Sequence, residues 1–377
     1  MAQKIFIATG DIGPNRNNPD EMFDLVRPTL DAADLVFGQL EPCVAASGSP
    51  SPQPRLPMRC RPEMTEAIER AGYDVISFAT NHCMDWGRPA FFDTIDFINS
   101  HNMDCVGAGS NIEDARKPVI RTLDDGTKIG FLAYCSILPQ DYWATKERPG
   151  ANPMRGVTAY VPREHDQPET PVDMFSFPHP DDLDRMLEDI ALLRPQVDIL
   201  MCSFHWGIHF VPAVIARYQR YVAKFAIDAG ADIILGHHEH INKPIEVYKG
   251  KVITYGMANF GLEGPEAFFE GKGSLVDSER HQAIAALNPD AQKKRRTMSP
   301  EQFISMALKV YIEDKKIVKV SYLPVQCDED THIPHFVKHD DPDFQKNLDY
   351  MIQITESQKI VPHFYAEGDE IVIDTNF

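Results

Sequence analysis

Over the first 240 residues, short and nearly unbroken apolar runs alternate with stretches in which apolar positions recur every three or four residues. That alternation predicts an α/β layer fold whose strands are buried on both faces. Strands are expected over 4–9 (KIFIAT), 35–40 (LVFGQL), 74–79 (DVISFA), 103–106, 198–204 (DILMCSF) and 232–235 (DIIL). Helices are expected over about 20–33, 63–71, 88–100, 180–193 and 213–229, with Pro180 suited to a first helical turn. Asp125-Gly126 is a hairpin dipeptide between two further strands. Later, 307–313 and 317–324 flank Asp314-Lys315-Lys316, a second hairpin. Ser299-Pro300-Glu301-Gln302 reads as a capping box, and Asp341-Pro342 opens a helix ending near 357.

Three stretches break the pattern. Residues 47–62 carry Pro50, Pro52, Pro54, Pro57 and Pro62 and predict a long loop. Residues 139–178 and 261–297 are polar and weakly periodic, and loops of that length are usually functional or mobile. With no repeat and no linker, the expectation is one domain over 1–377, with loop insertions at about 42–62, 139–178 and 261–297.

The chemistry lies where the apolar runs end. Asp11 follows the first strand and Glu41 the second; Asn81-His82 follows 74–79, His205 follows 198–204, and His237-His238-Glu239-His240 follows 232–235. Ligands of open α/β sheets bind at the carboxyl ends of the strands, so these five points are expected to converge. Two carboxylates, an amide and several imidazoles suit Mn, Fe or Zn ions and need no thiolate. A carboxylate such as Glu41 has two oxygens and is able to bridge paired cations. The seven cysteines are odd in number and lack a CxxC, which suits reduced thiols. Cys83, beside His82, reads as an inert buried thiol.

Charge narrows the function classes. The chain has 37 Lys+Arg against 56 Asp+Glu, a net −19, which argues against a nucleic-acid partner. A small anionic substrate stays compatible, because a bound cation inverts the local field. No apolar run reaches the 18 or more residues of a spanning helix, and the apolar stretch 5–8 is too short for a secretory signal. The expectation is a cytoplasmic protein with no membrane partner; nothing in the pattern speaks to oligomeric state. Arg55, Arg59 and Arg61, on the proline-rich loop after Glu41, either receive a carboxylate or phosphate of the substrate or form surface ion pairs. Trp206 either walls the pocket or packs. Tyr142, Trp143, Lys146 and Arg148 are lid candidates, and His332, His335 and His339 read as a solvated loop.

The order Gly10-Asp11, Leu40-Glu41, Asn81-His82-(x2)-Asp85-x-Gly87, His205-Trp206-Gly207, Gly236-His237-His238-Glu239-His240 closely resembles the CapA (poly-γ-glutamate capsule synthesis) family. That family belongs to the calcineurin-like metallophosphoesterase superfamily, and Tyr255-(x3)-Asn259-Phe260 is similar to its closing segment. The resemblance implies a four-layer α/β/β/α sandwich, with the last hairpin in its second sheet, and a centre of two divalent metal ions. Asp11, Glu41 and His240 would hold the first ion. Bridging Glu41, Asn81, His205 and His238 would hold the second. His82 would serve the leaving group with Asp85 orienting it, and His237 and Asn259 would support the ligands from behind. Gly13 stands where the superfamily usually has a histidine, with His209 as a candidate replacement. The implied activity is a hydrolase using a metal-bound hydroxide on a small-molecule or short γ-glutamyl substrate, as amide or phosphoester. A non-catalytic accessory that binds poly-γ-glutamate or a partner protein, and a mononuclear amidase or esterase, are the alternatives.

Overall fold

A computed structural model describes residues 3–53, 57–264 and 300–376. Among these, two large sheets lie face to face. The larger, of ten strands, has along one side the parallel set Lys4–Gly13, Leu35–Leu40, Val75–Ser77 and Asp104–Val106, the last of them at the edge. The smaller, of six, is built on the parallel strands Lys128–Cys135, Ile199–His205, Ile233–His237 and Lys251–Thr254. Phe131 of the smaller sheet meets Phe6 and Phe37 of the larger, with ring centroids 5.8 and 5.7 Å apart, so the main core lies between the sheets.

Strand periodicity sorts the smaller sheet's side chains. Ile129, Phe131, Ala133, Ile199, Met201, Ile233 and Leu235 face the larger sheet. Their alternates Leu132, Tyr134, Leu200, Cys202, Phe204 and Ile234 face outward, under helices Pro180–Leu193 and Arg217–Ala229. Helices Pro62–Arg70 and Gly87–Ser100 bury Ala67, Ile68, Ala90 and Phe91 in the core cluster that includes the larger sheet. The result is the expected α/β/β/α layering.

Several expectations change in detail. Residues 20–33 form only a 3₁₀ turn, Pro19–Met22, and one helical turn, Arg27–Leu30, because Pro28, inside the stretch, lacks the N–H that a continuous helix would need there. The late hairpin, Ile304–Glu313 with Lys316–Cys327, joins the larger sheet rather than the second one, lying antiparallel against the first strand from Lys4↔Ile312 to Thr9↔Ala307. Asp341 caps helix Pro342–Ser357 through the Asp343 amide. The stretch 139–178 contains an ordered hairpin, Gly156–Pro162 with Val172–Pro178. It packs on helix Arg217–Ala229, where Arg217 covers the Phe175 ring at 4.3 Å. Its strands are largely exposed on both faces, so no clean alternation marks them in the sequence. The expected insertion at 261–297 lies outside the described residues from 265 onward, as does Ser299 of the capping box. All seven cysteines are free thiols, and among the described residues no helix is long and apolar enough to cross a membrane.

Candidate metal centre

Asp11, His205 and His237 lie within their strands, whereas Glu41, Asn81, His82, His238 and His240 lie just beyond the strand ends. The first strand continues to Gly13, and its register with its neighbours shifts at Asp11. Such a bulge re-aims a side chain. Gly10 permits the close approach that fixes this turn of chain: a Cβ there would lie 2.2 Å from the Ala258 carbonyl oxygen, which accepts the Asp11 amide at 2.9 Å. Parallel pairing then sets Asn259 beside Asp11 and His237 beside His205. His205 and His237 continue the inward-facing parity of their strands.

Two groups of donors result. Asp11, Glu41 and His240 bring ligand atoms within 4.8 Å of one another. Beside them, Asn81 Oδ1 lies 2.5 Å from His205 Nε2 and 3.2 Å from His238 Nδ1, and the two imidazole nitrogens are 3.2 Å apart. Glu41 joins the first group to the catalytic candidate, with its Oε1 3.4 Å from His240 Nε2 and 3.6 Å from His82 Nε2. His238 and His240 both adopt positive φ, 94° and 57°, a conformation that costs energy for side chains of this size.

The electrostatics single out a place for positive charge. Glu41 is fully buried and neither carboxylate oxygen has a hydrogen-bond partner; Asp11 Oδ1 is equally bare. Burial, then the neighbouring Asp11 and Asp85, push the Glu41 pKa well above the carboxylate range, against the pull of His82. Burial and the surrounding histidines drive the pKa values of His205 and His238 far below the ordinary value, so both are neutral and able to ligate. Bare buried carboxylates beside neutral imidazoles fit a divalent cation: Asp11, Glu41 and His240 would hold one, and Asn81, His205 and His238 offer a second set of donors beside it.

Supporting contacts surround the donors. His240 Nδ1 meets Asn259 Oδ1 at 2.8 Å, leaving Nε2 for the centre. His237 Nδ1 lies 3.3 Å from Asp11 Oδ1. His82 Nδ1 contacts Asp85 Oδ2 at 2.5 Å, and the Met58 amide donates to the same oxygen at 2.7 Å. Asp85 Oδ1 accepts the Tyr142 hydroxyl at 3.1 Å. Burial disfavours a charged His82, yet Asp85 and Glu41 together hold its pKa above the ordinary value.

Other expected residues fall elsewhere. Trp206 does not wall a pocket. It is fully buried on the outer face of the sheet, stacked on Phe204 at 4.6 Å and donating to the Tyr255 carbonyl at 2.9 Å. Arg59 stacks over the Trp86 ring at 3.8 Å, Arg61 meets Met64 Sδ at 3.4 Å and Glu63 at 3.8 Å, and Arg55 lies outside the described residues. Tyr142 is buried rather than lid-like, while Trp143 lies under Arg148 and Arg155. His209 is exposed; its ring stacks on that of His240, centroids 5.2 Å apart, and lies tilted against that of His238 at 3.8 Å. Its segment is held by two residues that motif reading passed over. Lys243, fully buried, donates to the carbonyls of Val211 (2.6 Å) and Val214 (3.0 Å), and the Glu239 carbonyl accepts the Phe210 amide at 3.1 Å. The only hint of this was a lysine inside the apolar continuation of the histidine motif.

The model of the family described as bacterial capsule synthesis protein PGA_cap matches residues 6–262, which include every donor above. The chain belongs to this family. It is 30% identical over 242 residues to the PGA biosynthesis protein CapA of Bacillus subtilis, covering 64% of this chain and 56% of that protein. To the capsule biosynthesis protein CapA of Bacillus anthracis it is 29% identical over 253 residues, covering 65% and 54%. The match therefore spans little more than half the length of these relatives. Among solved structures, one described as a 5'-nucleotidase from Staphylococcus aureus aligns over 94% of this chain and 58% of its own, with 11% identity and a TM-score of 0.44.

Proposed function

We propose that this PGA_cap chain is a metal-dependent hydrolase with a dinuclear centre, acting on a small anionic substrate through a γ-glutamyl or other amide bond or a phosphoester. The observation that carries the reading is the gathering of Asp11, Glu41, Asn81, His205, His238 and His240 from remote segments, with the buried Glu41 oxygens left bare. Cations held there supply Lewis acidity and lower the pKa of a bound water toward neutrality.

The chain's own residues supply the rest. With Nδ1 hydrogen-bonded to Asp85, His82 presents Nε2, 3.6 Å from Glu41, as the atom that passes a proton to the leaving group. Asp85, held by Tyr142 and the Met58 amide, fixes that ring orientation. Asn259 does the same for His240. The segment of His209 and Phe210, resting on the ligand histidines, forms one wall where substrate enters.

The test is turnover of phosphoesters, γ-glutamyl peptides and simple amides by the metal-loaded chain, by the chain stripped with chelator, and after Mn²⁺ is restored. Turnover that follows metal is expected; turnover unchanged by verified stripping rejects the proposal. A second reading, a non-catalytic accessory that binds polyglutamate, draws support from a Mycobacterium tuberculosis relative described as a polyglutamine synthesis accessory protein, 27% identical over 249 residues. Metal-dependent turnover that His82→Ala abolishes, with metal retained, favours the hydrolase.

A further inference from the structure

The two groups of donors are chemically unequal. Asn81 Oδ1, His205 Nε2 and His238 Nδ1 converge within 3.2 Å of one another, and two of these three donors are nitrogens. The other half gathers Asp11, Glu41 and His240, three donors with a single nitrogen. The first strand has no room to add a fourth. At Gly13 a Cβ would lie 2.7 and 2.8 Å from ring carbons of Pro42 and 3.0 Å from Leu262 Cδ1, so any larger side chain collides with packed neighbours. Imidazole donors suit Zn²⁺, whereas carboxylate and water donors suit Mn²⁺ and Mg²⁺.

From this asymmetry, and resting on the reading of the cluster as a metal centre, we infer that the halves fill in order with different ions. The half of Asn81, His205 and His238 takes a zinc-like cation first and firmly. The half of Asp11 and His240 takes a manganese-like cation second, and exchanges it. The second imidazole nitrogen gives the order its direction, because the half of Asp11, Glu41 and His240 offers only one.

The full chain, stripped with chelator and verified metal-free, is titrated with Zn²⁺ by calorimetry with parallel metal analysis. Two steps of one equivalent each are expected, separated by about tenfold or more in affinity. Mn²⁺ added after one equivalent of Zn²⁺ should bind one further equivalent, with pulsed EPR showing coupling to a single imidazole nitrogen. In His240→Ala the second step should vanish while the first survives; in His205→Ala the first should weaken. Two equivalents of equal affinity, or a second-step Mn²⁺ coupled to two imidazoles in the unmodified chain, overturn the inference while leaving the metal centre standing. No binding of either cation overturns both.

Discussion

Replacing Glu41 by Gln should change stability in opposite directions depending on whether metal is present. The side chain is fully buried, neither oxygen has a donor, and Asp11 lies next to it. A buried polar group left unsatisfied costs about 1–3 kcal/mol, and more when it is charged. The neutral amide keeps the shape and removes the repulsion between carboxylates. In chelator, Glu41→Gln should therefore be the more stable protein by about 1–3 kcal/mol, a rise in melting temperature of roughly 2 °C per kcal/mol. Manganese reverses the ranking. A ligand at a hundred times its Kd stabilises the native state by about 2.7 kcal/mol, and the variant, without the Glu41 carboxylate, should lose most of that gain. Differential scanning calorimetry of both proteins, in chelator and across a manganese series, reads this directly. Two results would refute the reasoning: a variant no more stable than the parent without metal, or one that gains as much from manganese.

Tyr142→Phe deletes only the hydroxyl that donates to Asp85. It should cost about 1 kcal/mol of stability and slow turnover of substrates with poor leaving groups while sparing good ones; an equal loss on both classes would contradict the assigned role of His82. Trp206→Phe removes the donor to Tyr255 and part of the stack on Phe204. A loss of about 1–2 kcal/mol in urea unfolding with KM and metal content unchanged is expected, and a raised KM would return Trp206 to the pocket. Burial alone would raise the Glu370 carboxyl, but hydrogen bonds from Lys309, Tyr311 and Ser321 hold its pKa at about 2 against an ordinary 4.5. A depressed carboxylate pKa stabilises the fold above 4.5 and loses that contribution as pH falls from 4.5 toward 2. After allowance for solvent screening this is worth about 2 kcal/mol. The stability gap between the parent and Glu370→Gln should accordingly close over that range, and a gap independent of pH would refute the assignment.

What the sequence discloses and what it withholds follow from the range of the interactions concerned. The strands and their order along the chain are local, so apolar runs revealed them, and the polar residue at each run's end marked the edge where the donors meet. The same logic reached further than chemistry-minded reading took it. In strand Ile199–His205, residues 199 and 201 face the other sheet while 200, 202 and 204 face the helices. Parity alone sends His205 to the centre and continues the outward set to Trp206, which duly stacks on Phe204. Periodicity thus decided a choice between pocket wall and packing that the residue type left open. No periodicity reports Tyr142 on Asp85, 57 residues apart, or Lys243 on the carbonyls of Val211 and Val214, since these depend on loops laid across the sheet edge. Nor does the motif reveal its own cost. Glu41 without a partner and two histidines at positive φ are local losses tolerated together in one place. A fold selected for stability alone would relieve them one at a time. Their persistence side by side is what a binding centre for charge predicts, because cations held there would offset them together.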